Sequence, residues 1–166
     1  AQDATIVFIT VPFSAQAALL EPLKAPLENK VIVSTAIPLQ FTRSHIRAIP
    51  VDEGCAALQV QTILPTSRVV GAFQNVSATD LLLPETPIHC DVVVCSDNAD
   101  AKGKVMALAQ EIEEIRAIDG GDLENSRYVE DLTALLLNIN KIYSKKTRNQ
   151  IHTGFKLSGL PETKTS

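Results

Sequence analysis

The stretch TIVFITVPF, residues Thr5–Phe13, reads as a β-strand that stops on a proline, and its pattern sets the fold class. Apolar residues run through it almost without a break, as happens when both faces of a strand are covered. VIVST at Val31–Thr35 and DVVVC at Asp91–Cys95 share that pattern; RVVGAF at Arg68–Phe73 is a further strand and Ile115–Ile118 a weaker fifth. Helical patterns fill the intervals at about Ser14–Leu27, Glu53–Leu64 and Asn98–Glu113, and a long one runs over Ser126–Tyr143. In the third of these, Val105, Leu108, Ala109 and Ile112 fall on one face. Strand–helix–strand repetition implies right-handed crossovers and an open, mostly parallel α/β sheet. Gln40–Pro50 reads as a loop, residues 161–166 as a flexible tail, and the whole of 1–166 as one domain.

A chain of 166 residues with 45% hydrophobic and 20% charged residues is an ordinary globular composition. The net charge of −4 gives no bulk attraction to nucleic acid or to an anionic membrane, and neither is expected as a partner. No apolar run approaches the roughly 20 residues that span a bilayer. Cys55, Cys90 and Cys95 sit in or beside apolar runs without a metal-ligand spacing, so they read as small buried hydrophobes in a reducing cytoplasm. His45, His89 and His152 are far apart and read as surface or turn histidines, and no metal site is expected.

The segment DGGDLENSRYVEDLTALLLNINKIY, Asp119–Tyr143, is of another kind. Val129, Leu132, Leu135, Leu136, Leu137 and Ile139 cover most of its helical circumference, which implies burial on several sides, against the sheet edge and a second partner. Thr133, Asn138 and Asn140 stand within it, so each either satisfies backbone or faces a ligand.

Ligands of open parallel sheets bind beyond the carboxyl ends of the strands. That directs attention to Thr10–Ser14, Ala36–Leu39, Gln74–Ala78 and Ser96–Asn98. The chain has no GxGxxG turn after a strand, no Walker A sequence and no GxSxG elbow.

Taken together, TVPF (Thr10–Phe13), KVIVSTAIPL (Lys30–Leu39), RVVGAFQNVSA (Arg68–Ala78), CDVVVCSDN (Cys90–Asn98) and the Asp119–Tyr143 segment resemble the NADPH-dependent reductases of coenzyme F420. IHTGFKLSGL (Ile151–Leu160) looks like that family's short final strand. The resemblance covers nearly the whole chain and implies a Rossmann-type sheet. Its first βαβ region of roughly 70 residues, which carries the glycine-rich turn, would lie outside these residues. It further implies direct hydride transfer between C4 of the nicotinamide and C5 of the deazaflavin. The protein's task would be to hold two flat rings at reacting distance, with no catalytic acid or base.

Carried over by position, the resemblance implies NADP(H) contacts from Thr10, Val11, Pro12, Ala15, Ile37, Pro38, Leu39 and Ala78. For F420 it implies Gln74, Asn75, Val76, Ser77, Thr133 and Thr153. Ser77 stands where many members have proline, and Ala134 stands where proline often follows the threonine. Lys141, Lys145, Lys146 and Arg148 would offer positive charge to the acidic tail of the deazaflavin. A homodimer through the 126–143 helix is expected. The alternatives are a non-catalytic deazaflavin-binding or dimerisation module, and a related NADP-dependent reductase with a flavin or metal-chelate acceptor.

Overall fold

The computed structural model describes residues 3–83, 85, 87–147 and 152–160. The expected tail at 161–166, Arg148 and Ile151 lie outside the described residues. The chain runs β1 (Ile6–Ile9), α1 (Phe13–Leu20), a 3₁₀ turn at Glu21–Leu23, α2 (Lys24–Leu27) and β2 (Val31–Ser34). It continues through β3 (Leu39–Phe41), β4 (Ile46–Ala48), α3 (Ala56–Ile63), β5 (Arg68–Gly71) and a 3₁₀ turn at Asp80–Leu82. β6 (Cys90–Val94), α4 (Ala99–Gln110), β7 (Ile115–Asp119), a turn at Leu123–Asn125 and α5 (Ser126–Thr147) complete it.

β1, β2 and β5 form one parallel sheet in the order β1-β2-β5, with Ile6 opposite Val31 and Val31 opposite Arg68. β6 and β7 form a second parallel pair, with Asp91 opposite Arg116. The two meet where Gly71 and Cys95 exchange both backbone hydrogen bonds, at 2.9 and 3.0 Å, in an antiparallel bridge. The carboxyl ends of β5 and β6 are thereby brought together.

Burial on both faces explains the unbroken apolar runs. Val31 and Val33 point into a core shared with Val70, Val92, Val94 and α4, while Ile32 between them points into a second core under α1 and α3. Of the α4 stripe, Val105 and Ala109 are fully buried, whereas Leu108 is 41% exposed beside a surface cleft.

Two expectations are corrected. Gln40–Pro50 is not a loop throughout, because β3 and β4 pair as a hairpin with Phe41 opposite Ile46. Its turn is closed by Thr42, whose hydroxyl donates to His45 O at 2.7 Å and accepts from His45 N at 3.0 Å. These three-residue strands are half-exposed, so they lack the apolar alternation that reveals a strand. The described part of the C-terminal motif, 152–160, is not a regular strand, although Asp91 N donates to Phe155 O at 2.8 Å. Within this chain α5 is buried along one side, with Leu135 at 55% exposure and Tyr128, Ile142 and Tyr143 exposed on the side expected to meet a second partner.

α5 packs closely where Gly71 meets its first turn. A Cβ on Gly71 would lie 2.1 Å from Ser126 Oγ and 2.9 Å from Ser126 Cβ, whereas one on Gly103, inside α4, would meet nothing within 4 Å. Gly71→Ala is therefore expected to destabilise the fold by about 1–3 kcal/mol through overpacking. Gly103→Ala is expected to stabilise it by about 0.5–1 kcal/mol through helix propensity. Denaturant unfolding of the two variants checks both signs.

Candidate functional site

The inner side of α5 carries a series of polar side chains, each tied to a different segment. Glu130, 2% exposed, accepts from Ala56 N at 2.8 Å and Ala57 N at 3.2 Å, capping the start of α3. Thr133 shares its hydroxyl proton between Val129 O, one turn back at 2.9 Å, and Gln74 O at 3.2 Å. Asn138 accepts from Ile46 N at 2.9 Å and donates to Ile46 O at 2.7 Å, as a neighbouring strand would. Asn140 Oδ1 accepts from both the backbone N and the hydroxyl of Thr153, at 2.9 and 2.8 Å.

The ties made by Thr133 and Asn140 border a cavity of about 430 Å³. Gln74, Asn75, Val76, Ser77, Thr133 and Thr153 all line it, together with Ile37, Ala78, Leu136 and Leu137. A second cleft of about 500 Å³ lies beyond the ends of β1 and β2 and is lined by Thr10, Val11, Pro12, Ile37 and Leu39 among others. A third, of about 550 Å³, lies between them on the α4 side; it shares Gln74, Val76 and Ala78 with the first and Thr10 with the second. Ile37 borders all three. Ala15 and Pro38 line none of them: Ala15 is exposed on α1, and Pro38 is buried with its carbonyl accepting from Ile49 N at 3.0 Å.

The loop after β5 is under strain at the place where the clefts meet. Phe73 holds φ at 67°, a left-handed conformation that costs a bulky residue about 1–2 kcal/mol. Its ring packs at a tilt on Phe8, with centroids 5.8 Å apart. Gln74 follows, 3% exposed, and neither atom of its carboxamide has a hydrogen-bond partner among the described residues. Asn75, 5% exposed, donates from Nδ2 to Asp91 O at 2.8 Å and leaves Oδ1 without a partner. Buried polar atoms are ordinarily paired, so these three, closed to solvent on two residues that line the cavity, stand out as a local exception.

Sequence reasoning weighed Asn140 and Lys141 for this wall and missed Ser144 and His152. Asn140, Lys141, Ser144 and His152 also line the cavity, and Lys141 and His152 are the ionisable residues among those that do. His152 is not a bare surface histidine: its Nδ1 lies 2.7 Å from Asp80 Oδ1 and its side chain is 24% exposed. The i, i+4 spacing of Asn140 and Ser144 behind Leu136 and Leu137 was a usable signal, since those positions share a helix face. Phe41, 70% exposed, joins the second cleft only through the unforeseen hairpin. Of the basic group, Lys141 reaches Arg43 O at 3.0 Å, and Lys146 lies 5.1 Å from the Tyr143 ring centroid.

Glu130 gives the scaffold a pH dependence. Burial pushes its carboxyl from an ordinary 4.5 up to about 7, against the two backbone N–H groups that favour its charge. Burial and the Glu130 charge together raise the neighbouring Cys55 thiol to about 11. Between pH 4.5 and about 7 the unfolded chain releases a proton that the folded protein retains, so this group's contribution to stability falls as pH rises and then levels. Glu130→Gln removes that slope. Urea midpoints should show the wild type gaining on the variant at pH 5 relative to pH 8.

No family model matches the chain. It is 36% identical over 166 residues to an F420-dependent NADP reductase of Methanothermobacter marburgensis, an alignment covering 98% of this chain and 72% of the relative. It is 35% identical over 162 residues to the F420-dependent NADP reductase of Methanocaldococcus jannaschii, covering 96% and 70%. Among solved structures, an Arthrobacter sp. FB24 protein proposed to be an F420-dependent NADP reductase superposes with a TM-score of 0.76 at 24% identity, over 95% of this chain and 71% of that one. A Sinorhizobium meliloti protein follows at 0.61 and 21% identity, over 76% and 60%.

Proposed function

The chain belongs to the F420-dependent NADP reductase family, and from that premise we propose that it moves a hydride between NADPH and the deazaflavin coenzyme F420. In this reading the cleft at the ends of β1 and β2 takes the nicotinamide side, and the cavity on α5 takes the deazaflavin. The observation that carries it is convergence: Gln74, Asn75, Val76, Ser77, Thr133 and Thr153, from three separate segments, line one cavity, and Ile37 borders both it and the cleft at the strand ends.

The residues present fit two planar ligands. Ile37, Val76, Leu136 and Leu137 supply apolar surface for ring faces and exclude water, while Gln74, Asn75 and Ser77 supply hydrogen bonds at ring edges. Thr10, Val11, Pro12, Ile37 and Leu39 are assigned to NADP(H), and Gln74, Asn75, Val76, Ser77, Thr133 and Thr153 to F420; Ala78, expected at NADP(H), lines the α5 cavity and the cleft between and is assigned to the meeting of the two rings. Ala15 and Pro38 stand outside the clefts and are left out of the assignment. The hydride passes between the nicotinamide and the deazaflavin themselves, so the protein's work is alignment and desolvation. Nothing in the relatives' names favours the non-catalytic module or the flavin and metal-chelate alternatives.

The described residues are treated as one domain of a cytoplasmic homodimer. Tyr128, Leu132, Leu135, Ile139 and Ile142 follow one another at spacings of four and three along α5, the seam of a helix that meets another helix. Leu135→Glu should convert a dimer to a monomer in sedimentation velocity, and a wild-type protein that sediments as a monomer would remove the assignment.

Gln74→Leu keeps the size of the side chain and removes its hydrogen bonds. We expect kcat/KM with F420 to fall about tenfold or more, while thermal stability holds or rises because an unpaired buried amide is gone. Steady-state assays with F420 and with a flavin as acceptor, alongside a thermal melt, check this. Equal turnover of the two acceptors by the wild type would count against F420.

A further inference from the structure

We propose that Asp91 and Arg116, which line neither cleft assigned to the cofactors, are positioning residues that set two sides of the deazaflavin cavity. This rests on the reading of that cavity given above. Asp91 lies on β6 and is fully buried; Arg116 stands opposite it on β7 with its side chain 28% exposed. The guanidinium grips the carboxylate with both arms, Nε to Oδ1 at 2.9 Å and Nη2 to Oδ2 at 2.7 Å. Such a fork fixes direction as well as distance.

Every remaining polar atom of Asp91 serves a cavity wall. Its carboxylate accepts from Leu157 N, and Arg116 Nη2 donates to Leu157 O, so the pair holds both backbone groups of that residue. Its backbone N donates to Phe155 O at 2.8 Å. The C-terminal segment is thus laid against β6, and the fit is close: a Cβ on Gly154 would fall 2.5 Å from Cys90 Cβ. Thr153, next in the chain, is then presented to the cavity and met there by Asn140. On the opposite side, the Asp91 carbonyl takes the Nδ2 proton of Asn75 at 2.8 Å. That bond decides which way the Asn75 amide points and frees Oδ1 as an acceptor. One residue therefore orients the loop after β5 and the C-terminal wall together.

Burial pushes the Asp91 carboxyl up, but Arg116, the Leu157 N–H and Lys156 outweigh it and hold the group below the usual carboxylate range. The grip stays charged under ordinary assay conditions. The nicotinamide-side cleft receives no contact from this network.

The test uses Arg116→Lys, which keeps the charge and loses the fork, and the double variant Asp91→Val/Arg116→Val. An apolar pair in place of a buried ion pair commonly preserves stability, so the double variant separates positioning from folding. We expect KM for F420 to rise about tenfold in the double variant and less in Arg116→Lys. KM for NADPH should stay within about twofold. Hydrogen exchange at the Thr153 and Leu157 amides should accelerate in the same order. An F420 KM that holds in a folded double variant, a parallel rise in both KM values, or unchanged exchange at those amides would each overturn the proposal. A wild type that does not bind F420, read by fluorescence titration, would instead remove the functional reading, and the exchange rates would then decide the positioning claim alone.

Discussion

The constraint on which the structure depends is that one helix must satisfy polar groups belonging to four separate segments. Glu130 caps α3, Thr133 holds the Gln74 carbonyl, Asn138 pairs with the backbone of β4, and Asn140 takes Thr153. A purely apolar α5 would pack on the sheet but leave those donors and acceptors unpaired, at about 1–3 kcal/mol for each buried group. Two of these ties, from Thr133 to Gln74 and from Asn140 to Thr153, end on the cavity wall. Their geometry is set by a rigid helix, which holds side chains more accurately than a loop would.

The strands were legible because burial on both faces leaves a mark that composition alone carries: VIVS and CDVVV have no solvent side to encode. The hairpin was not, since its strands are three residues long and half-exposed, and the contact that holds it is a side chain 92 positions away. The reading of α5 requires a second partner. Leucines at 135, 136 and 137 suggest burial all round, yet successive helical residues point about 100° apart, and within one chain only Leu136 is buried. The junction at Gly71 and Cys95 was also invisible, because an antiparallel bridge between two parallel sheets follows from how the 72–89 connection returns.

The site divided in the same manner. Positions that follow a strand directly were found by topology and resemblance, since the end of a strand fixes where its next residue sits. Positions reached across the fold were not. His152 looked like a surface residue until Asp80 was brought to it from 72 residues away, and Asp91 looked like one more member of a buried strand. A fully buried carboxylate in a run of valines was nevertheless a signal, because such a charge requires a partner.

The β3–β4 hairpin has a further consequence. Beyond its own pairing, which the bond from Ile49 N to Pro38 O extends by one rung, its described polar ties to the body are the two bonds to Asn138 and the Lys141 contact. Phe41 is mostly in solvent, yet it borders the cleft at the strand ends together with Leu39 and Ile49. Because Asn138 fixes β4 and β4 pairs with β3, α5 sets one side of that cleft through the hairpin as well as one wall of its own cavity directly. A single helix is thus the common reference for both clefts.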